Sequence, residues 1–309
     1  MKIKSITNFY NKMSNFGKIL LFVSLLLIIV VIFNSSSFKL NREGYVQNDN
    51  FLFKSGTDVY DSFYSNIYDF LVFNTLKNDY EVGVIVNKAT PTNTSVILDV
   101  GSGTGHHVAS LCKQNLNVIG IDISPSMINK AKQNYPQYNF KLGDVLDRHQ
   151  FQNNSFTHIL CFYFTIYYFE DKRRFFENCM DWLMPGGCLI IHLVDREKFD
   201  PILPPGNPLY IVSPQKYAKE RITKTKITFN EFIYESNFDF KKNDDLAIFE
   251  EKFKFNNGKV RKQEQKLYME DTDTILEIAA QSGFIMTGVV DLVKCAYEHQ
   301  YLYILTKPS

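Results

Sequence analysis

The 309-residue sequence predicts an α/β protein: a mostly parallel sheet covered by helices and closed by an antiparallel pair of final strands. An appended antiparallel β segment and one N-terminal transmembrane helix complete the expected architecture. Three observations predict it. From Ser95 to Asp195 short apolar runs alternate with segments of helical periodicity. A glycine-rich turn, Asp99–Gly105, lies between the first of those runs and the helical pattern that follows. Near the start, Ile19–Phe33 reads ILLFVSLLLIIVVIF without a single charge.

A helix over that uncharged run rises about 1.5 Å per residue and covers most of a bilayer core of roughly 30 Å. Phe16, Gly17 and the uncharged stretch Asn34–Phe38 can supply the missing turns. The expected division is therefore a short segment over 1–18, a span over 19–38, a polar tether over 39–50 and a folded domain over 51–309. A cleaved signal peptide is an alternative, because Lys2, Lys4, Lys12 and Lys18 precede the run and three serines follow it, although no A-x-A site appears. A buried core helix is another. Four lysines before the span, against Lys39 and Arg42 after it, favour a domain outside the cytosol. Unpaired cysteines point the other way, so the side of the membrane stays open. Asn34, Asn93 and Asn153 begin glycosylation sequons that would report it.

A formal charge of +1 gives no global attraction to nucleic acid, which is not expected as a partner. The basic stretch Lys216–Lys226 is interrupted by Glu220 and reads as a solvated face. Five cysteines, an odd number without metal spacing, read as reduced and mostly buried thiols, and no metal is expected. The pair His106-His107 has no identifiable third ligand.

Within 58–76, Tyr60, Phe63, Tyr64, Ile67, Tyr68 and Leu71 recur at three- and four-residue spacing, which predicts an amphipathic helix with an aromatic stripe. Strands follow at 95–100, 117–122, 138–144, 157–164 and 188–195. The helix between the second and third carries Ser124 as N-cap and Pro125 at its first position, burying Met127, Ile128 and Ala131. Glu170 and Asp171 open another, with Phe175, Phe176 and Cys179 inside and Pro185-Gly186-Gly187 as its stop. Residues 95–195 thus form a core unit. Between 196 and 269 the pattern changes to period two, with Asn256-Asn257-Gly258 as a tight turn. Over 270–309, Thr272 or Asp273 caps a last helix, and Ile285–Val293 and Tyr301–Thr306 supply the closing strands.

The chemistry resides in Leu98-Asp99-Val100-Gly101-Ser102-Gly103-Thr104-Gly105. Glycines serve there because the chain must turn sharply and bring backbone N–H groups close to a ligand. The spacing is G-x-G-x-G; a dinucleotide fingerprint would place its third glycine at His106, and no Gly-Lys-Ser/Thr follows to make a phosphate loop. Asp99 disfavours a pyrophosphate and suits a ligand carrying positive charge. Asp122 closes the second strand about twenty residues on, where a carboxylate can accept from ribose hydroxyls. Asp144 ends the third and can accept from an adenine amino group.

These features resemble the class I S-adenosylmethionine-dependent methyltransferases, with a type 11/25-like domain. ILDVGSGTG resembles the family's first motif, VIGIDIS its acidic second strand, LGDV its adenine-side motif and LMPGGCLII its entry to the fifth strand. The resemblance implies a Rossmann-like fold and S-adenosylmethionine as cofactor. It also implies that Asp99, Gly101, Gly103 and Gly105 hold the amino-acid moiety and loop contacts, Asp122 the ribose, and Asp144 with Val145 the adenine. Ser102, Ile123 and Cys161 complete the expected cofactor set.

Methyl transfer from a sulfonium is a direct displacement, so alignment and exclusion of water matter more than a dedicated base. The fourth strand ends in Cys161-Phe162-Tyr163-Phe164-Thr165-Ile166-Tyr167-Tyr168, which is not the D/N-P-P-Y/F motif of relatives that methylate exocyclic nitrogens. An aromatic wall suits a small molecule or an amine. Tyr60, Tyr64, Tyr167 and Tyr168 are the substrate-side candidates, and Tyr163, His192 and Asp195 the catalytic ones. The expected activity is methyl transfer at a membrane; the competing expectation is an idle member of the fold serving as an anchored scaffold.

Overall fold

The computed structural model describes residues 14–19, 21–24, 26, 50–204 and 213–309. The chain divides into two units, Met1–Val46 and Gln47–Ser309. In the first, residues 15–19 and 21–24 are helical, and Phe16, Ile19 and Phe22 are exposed. Most of the expected span over 19–38, and the tether up to 49, lie outside the described residues. Among the described residues no helix is long and apolar enough to cross a membrane.

The second unit opens with β1 (Phe51–Ser55), α1 (Ser62–Val72) and α2 (Thr75–Val84). Asp61 caps α1 by accepting from the Tyr64 N–H at 3.1 Å, and Asn74 caps α2 by accepting from Lys77. The alternating part runs β2 (Val96–Val100), α3 (His106–Cys112), β3 (Asn117–Asp122), α4 (Pro125–Asn134), β4 (Asn139–Leu142), β5 (Phe156–Cys161), α5 (Lys172–Trp182) and β6 (Leu183–Val194). Four strands follow, β7 (Lys224–Thr228), β8 (Phe232–Lys241), β9 (Leu246–Phe255) and β10 (Val260–Tyr268). The chain closes with α6 (Thr272–Gln281), β11 (Ile285–Asp291) and β12 (Gln300–Thr306).

Two sheets result. The larger has the order β11-β12-β6-β5-β2-β3-β4. Its strands β2 to β6 pair in parallel, while β12 is antiparallel to both β6 and β11. Helices cover both faces: Phe175, Phe176, Cys179 and Trp182 of α5 pack with Ile275 and Ala279 of α6 in one core. Val82, Val108, Leu111, Ile128 and Ala131 of α2 to α4 pack in the other. Each fully buried aromatic in these layers contributes about 2–3 kcal/mol of apolar burial. The strand order reverses between β2 and β5, the place where such sheets open a ligand crevice at their carboxyl ends.

The smaller sheet, β1-β10-β9-β8-β7, is antiparallel except that β1 runs parallel to β10. It is the appended segment expected over 196–269, enlarged by a strand from the start of the domain. Its inner face buries Phe232, Tyr234 and Phe253 and meets α1 through Phe63, whose ring centroid lies 5.3 Å from that of Phe253. Arg221, from the basic stretch, donates to the carbonyls of Phe199 and Arg196 and is structural. The cap of α6 is Asp271, which accepts from the Thr274 N–H at 2.8 Å, in place of the expected Thr272 or Asp273.

Candidate active site

The carboxyl ends of β2, β3 and β4 open onto a cavity of about 600 Å³, closed on its far side by α1 and β10. Gly101 and Gly103, with φ of +67° and +53°, carry the chain through a left-handed turn that L side chains resist. The Gly101 and Ser102 N–H groups both donate to the Ile121 carbonyl, which fixes the turn against β3. Gly103 donates to Asp122 Oδ2 at 3.0 Å, and Ser124 donates to Oδ1 at 2.8 Å. Asp122 is thus held rigidly at the cavity wall. Burial pushes its carboxyl up, and the N–H donors of Ser124 and Gly103 oppose that.

Gly101, Gly103, Asp122, Ile123, Asp144 and Val145 all line the cavity. Ile123 is half exposed and Val145 buried, so an apolar slot lies beside the two acids. Asp144 accepts from the Leu146 N–H at 2.9 Å. The remaining loop residues stand behind the wall. Ser102 is buried and its hydroxyl packs under Gly120, where a Cβ would meet Oγ at 2.7 Å. Gly105 starts α3 with φ +92°, and a Cβ there would strike Phe140 at 2.7 Å. Asp99 is buried, one carboxyl oxygen has no hydrogen-bond partner, and burial pushes its pKa up to about 6, helped by Asp122 and Glu81 against His107.

Several expected positions need correction. Cys161 is fully buried in the sheet core, burial pushes its thiol up, and it does not reach the cavity. Tyr167 is also fully buried; its hydroxyl accepts from the Val194 N–H at 2.9 Å, so it ties β6 to the preceding turn and leaves the wall to Tyr168. His192 is sealed inside β6, with Nδ1 bonded to the Tyr163 carbonyl and Nε2 3.0 Å from Gln300 Oε1. Burial and Lys77 push it down to about 3, so it has neither access nor basicity for taking a proton from substrate. Asp195 lies outside the cavity and pairs with Lys198 at 2.9 Å; burial opposes ionisation, but Lys198 and the Glu197 N–H hold its pKa low.

The tyrosines fare differently. Tyr60, Tyr64, Tyr163 and Tyr168 line the cavity, joined by Tyr68. Tyr163 has φ +51°, a left-handed conformation held by the His192 bond to its carbonyl. His106 and His107 face elsewhere: His106 stacks on Phe73 at 3.7 Å, and His107 Nε2 lies 2.9 Å from Glu81. Buried Lys77, which sequence reasoning passed over, pairs with the same Glu81 at 3.2 Å and sits 3.8 Å from the Tyr163 ring centroid, at the cavity wall. No periodic signal marks it, because α2 buries Lys77, Asn78 and Glu81 where an amphipathic helix would bury apolar side chains.

The methyltransferase domain family matches residues 97–187. Over 96 residues the chain is 36% identical to a demethylmenaquinone methyltransferase of Chlorobaculum parvum, covering 31% of this chain and 39% of that protein. Over 147 residues it is 29% identical to a dTDP-4-amino-2,3,4,6-tetradeoxy-D-glucose N,N-dimethyltransferase of Saccharopolyspora spinosa, covering 45% and 57%. The chain therefore spans less than two thirds of these relatives. Among solved structures, an S-adenosylmethionine-dependent methyltransferase from Clostridium acetobutylicum shares the fold, with a TM-score of 0.58 and 17% identity over 80% of this chain and 97% of that one. The chain carries a class I methyltransferase domain. Its cofactor is S-adenosylmethionine, and the cavity fits that group. The side-chain-free Gly101 and Gly103 give close approach, Asp122 and Asp144 line the cavity with the apolar Ile123 and Val145, and acids outnumber bases on the wall for a ligand bearing sulfonium and ammonium.

Proposed function

We propose that the chain is an S-adenosylmethionine-dependent methyltransferase acting on a small-molecule amine. The observation that carries this reading is that one cavity joins the Gly101–Gly103 turn and Asp122 to a wall of tyrosines. The cofactor supplies an electrophilic methyl group on a sulfonium. Asp122 would take the ribose and the Ile123–Val145 slot the adenine, and Tyr60, Tyr64 and Tyr168, which line the same cavity, would face the acceptor. These side chains exclude water and orient the nucleophile; among the described residues His192 and Asp195 do not serve as its base. The tyrosine wall would hold the amine in line for a direct displacement, nitrogen–carbon bond formation accompanying carbon–sulfur cleavage, and with His192 and Asp195 out of reach the amine's proton would pass to solvent. The sugar N,N-dimethyltransferase similarity supports an amine acceptor.

We place this activity at a membrane. The support is the uncharged Ile19–Phe33 run and the exposure of Phe16, Ile19 and Phe22 among its described neighbours. Calorimetric titration of the full chain with S-adenosylmethionine, followed by transfer of a radiolabelled methyl group to a panel of small amines, tests the enzyme reading. Saturable binding and labelled product are expected; absence of binding at millimolar cofactor would overturn it. Partition of the full chain with sedimented vesicles, and its release on removal of residues 1–46, tests the membrane placement.

A further inference from the structure

On the inner face of the smaller sheet lies a buried carboxylate that does not itself line the cavity. Glu251 of β9 is 1% exposed. It accepts from the hydroxyls of Tyr64 at 3.0 Å and Tyr234 at 2.8 Å, and from the amides of Gln263 at 2.6 Å and Gln265 at 3.2 Å. All four partners donate to it. Burial pushes the Glu251 carboxyl up, but four donors converge on it, and as their acceptor it draws Gln265 Nε2 inward and leaves Oε1 toward the cavity that Gln265 lines.

There Oε1 accepts from the hydroxyls of both Tyr60, at 3.1 Å, and Tyr168. The Tyr60 hydroxyl also lies 2.7 Å from the Tyr168 oxygen. Each phenol has one proton, and both protons are committed within this triangle. Burial pushes both phenols up, so they remain protonated at neutral pH. The Tyr60 and Tyr168 hydroxyls therefore keep free lone pairs and no free proton. The same wall carries Asp200 and Glu264 with the exposed Lys266, and its buried cation Lys77 is already paired with Glu81.

We propose that Gln265, oriented by Glu251, makes Tyr60 and Tyr168 a hydrogen-bond-accepting edge that selects an amine carrying at least one N–H. This rests on the amine reading of the site and names the residues that impose it. Gln265 is the specificity-determining residue and Glu251 a positioning residue. An aromatic cage acting through ring faces alone would favour a quaternary ammonium, which has no N–H to give. The two possibilities make opposite demands on one pair of probes.

Benzylamine and benzyltrimethylammonium are titrated into the full chain by NMR, with and without saturating S-adenosylhomocysteine, for wild type, Gln265→Leu, Glu251→Gln and Tyr60→Phe. Wild type is expected to favour benzylamine by about tenfold, the worth of one charge-assisted hydrogen bond. Gln265→Leu, which keeps volume, should erase that preference while leaving S-adenosylhomocysteine affinity unchanged. Glu251→Gln should reduce the preference with the same cofactor affinity, since a neutral amide no longer dictates which way Gln265 faces. Should Glu251→Gln fail to fold, Gln265→Leu and Tyr60→Phe carry the test. A wild-type preference for the quaternary ion, or a preference for benzylamine that survives Gln265→Leu, would overturn the proposal. Loss of S-adenosylhomocysteine binding in wild type would instead strike the methyltransferase reading, and the benzylamine preference would still be read.

Discussion

Lys77 Nζ and Glu81 Oε1 lie 3.2 Å apart, one helical turn from each other, with both side chains sealed from solvent. Burial alone would push Glu81 up, yet Lys77 and the hydrogen bond from His107 override it and hold the carboxyl down to about 2. Glu81 therefore stabilises the fold fully above its ordinary pKa of 4.5, and that contribution is lost as pH falls toward 2. Glu81→Gln leaves a buried cation without its counter-charge, and chemical denaturation should show a loss of about 3–5 kcal/mol. The Lys77→Met, Glu81→Gln double variant should lose less than Glu81→Gln alone. Equal losses would mean that the pair is not coupled.

Asp99 has the opposite sign. Its carboxyl is raised from 3.8 to about 6, so between those values the folded chain keeps a proton that the unfolded chain releases. The cost of ionising Asp99 is absent below pH 3.8 and fully present above 6. Asp99→Asn lacks this cost, so its stability relative to wild type should rise by about 2 kcal/mol between pH 4 and pH 7.5. Urea unfolding of both proteins at the two pH values checks this. A difference independent of pH would show that Asp99 does not titrate in that window.

Asp122 joins the glycine turn to the cavity through the N–H groups of Gly103 and Ser124. Asp122→Asn removes the charge and one acceptor, and calorimetry should register a fall in S-adenosylmethionine affinity of about ten- to a hundredfold. Unchanged affinity would move the ribose site elsewhere.

Tyr167, reassigned from the substrate wall to the core, offers a contrasting test. Tyr167→Phe strands the buried Val194 N–H and should cost about 1–3 kcal/mol of stability. KM for an amine substrate should stay at the wild-type value, and a large change in it would return Tyr167 to the site.

Much of this site is legible along the chain because its parts are local. A turn that needs Gly101 and Gly103, a carboxylate ending the next strand and a Ser124-Pro125 helix start are each written within a few residues. Tyr167 and Tyr168 are adjacent in sequence and inseparable by it. The backbone turn after β5 sends Tyr167 inward to Val194 and Tyr168 outward to Gln265.

What the sequence by itself determined is the alternating α/β core, the glycine turn with Asp122 and Asp144 at the strand ends, and the uncharged N-terminal run, all governed by spacing over short distances. Tertiary structure alone decided which candidates share a cavity. His192 and Asp195 stand at the end of a promising strand yet finish in the core and in an ion pair, because the Tyr163 carbonyl and Gln300 enclose the first and Lys198 neutralises the second. Gln265 and Glu251 lie some two hundred residues from Tyr60, on strands whose period-two pattern records only which face is inward. Their importance arises where that face meets α1, since burial is what forces each polar group there to find a partner.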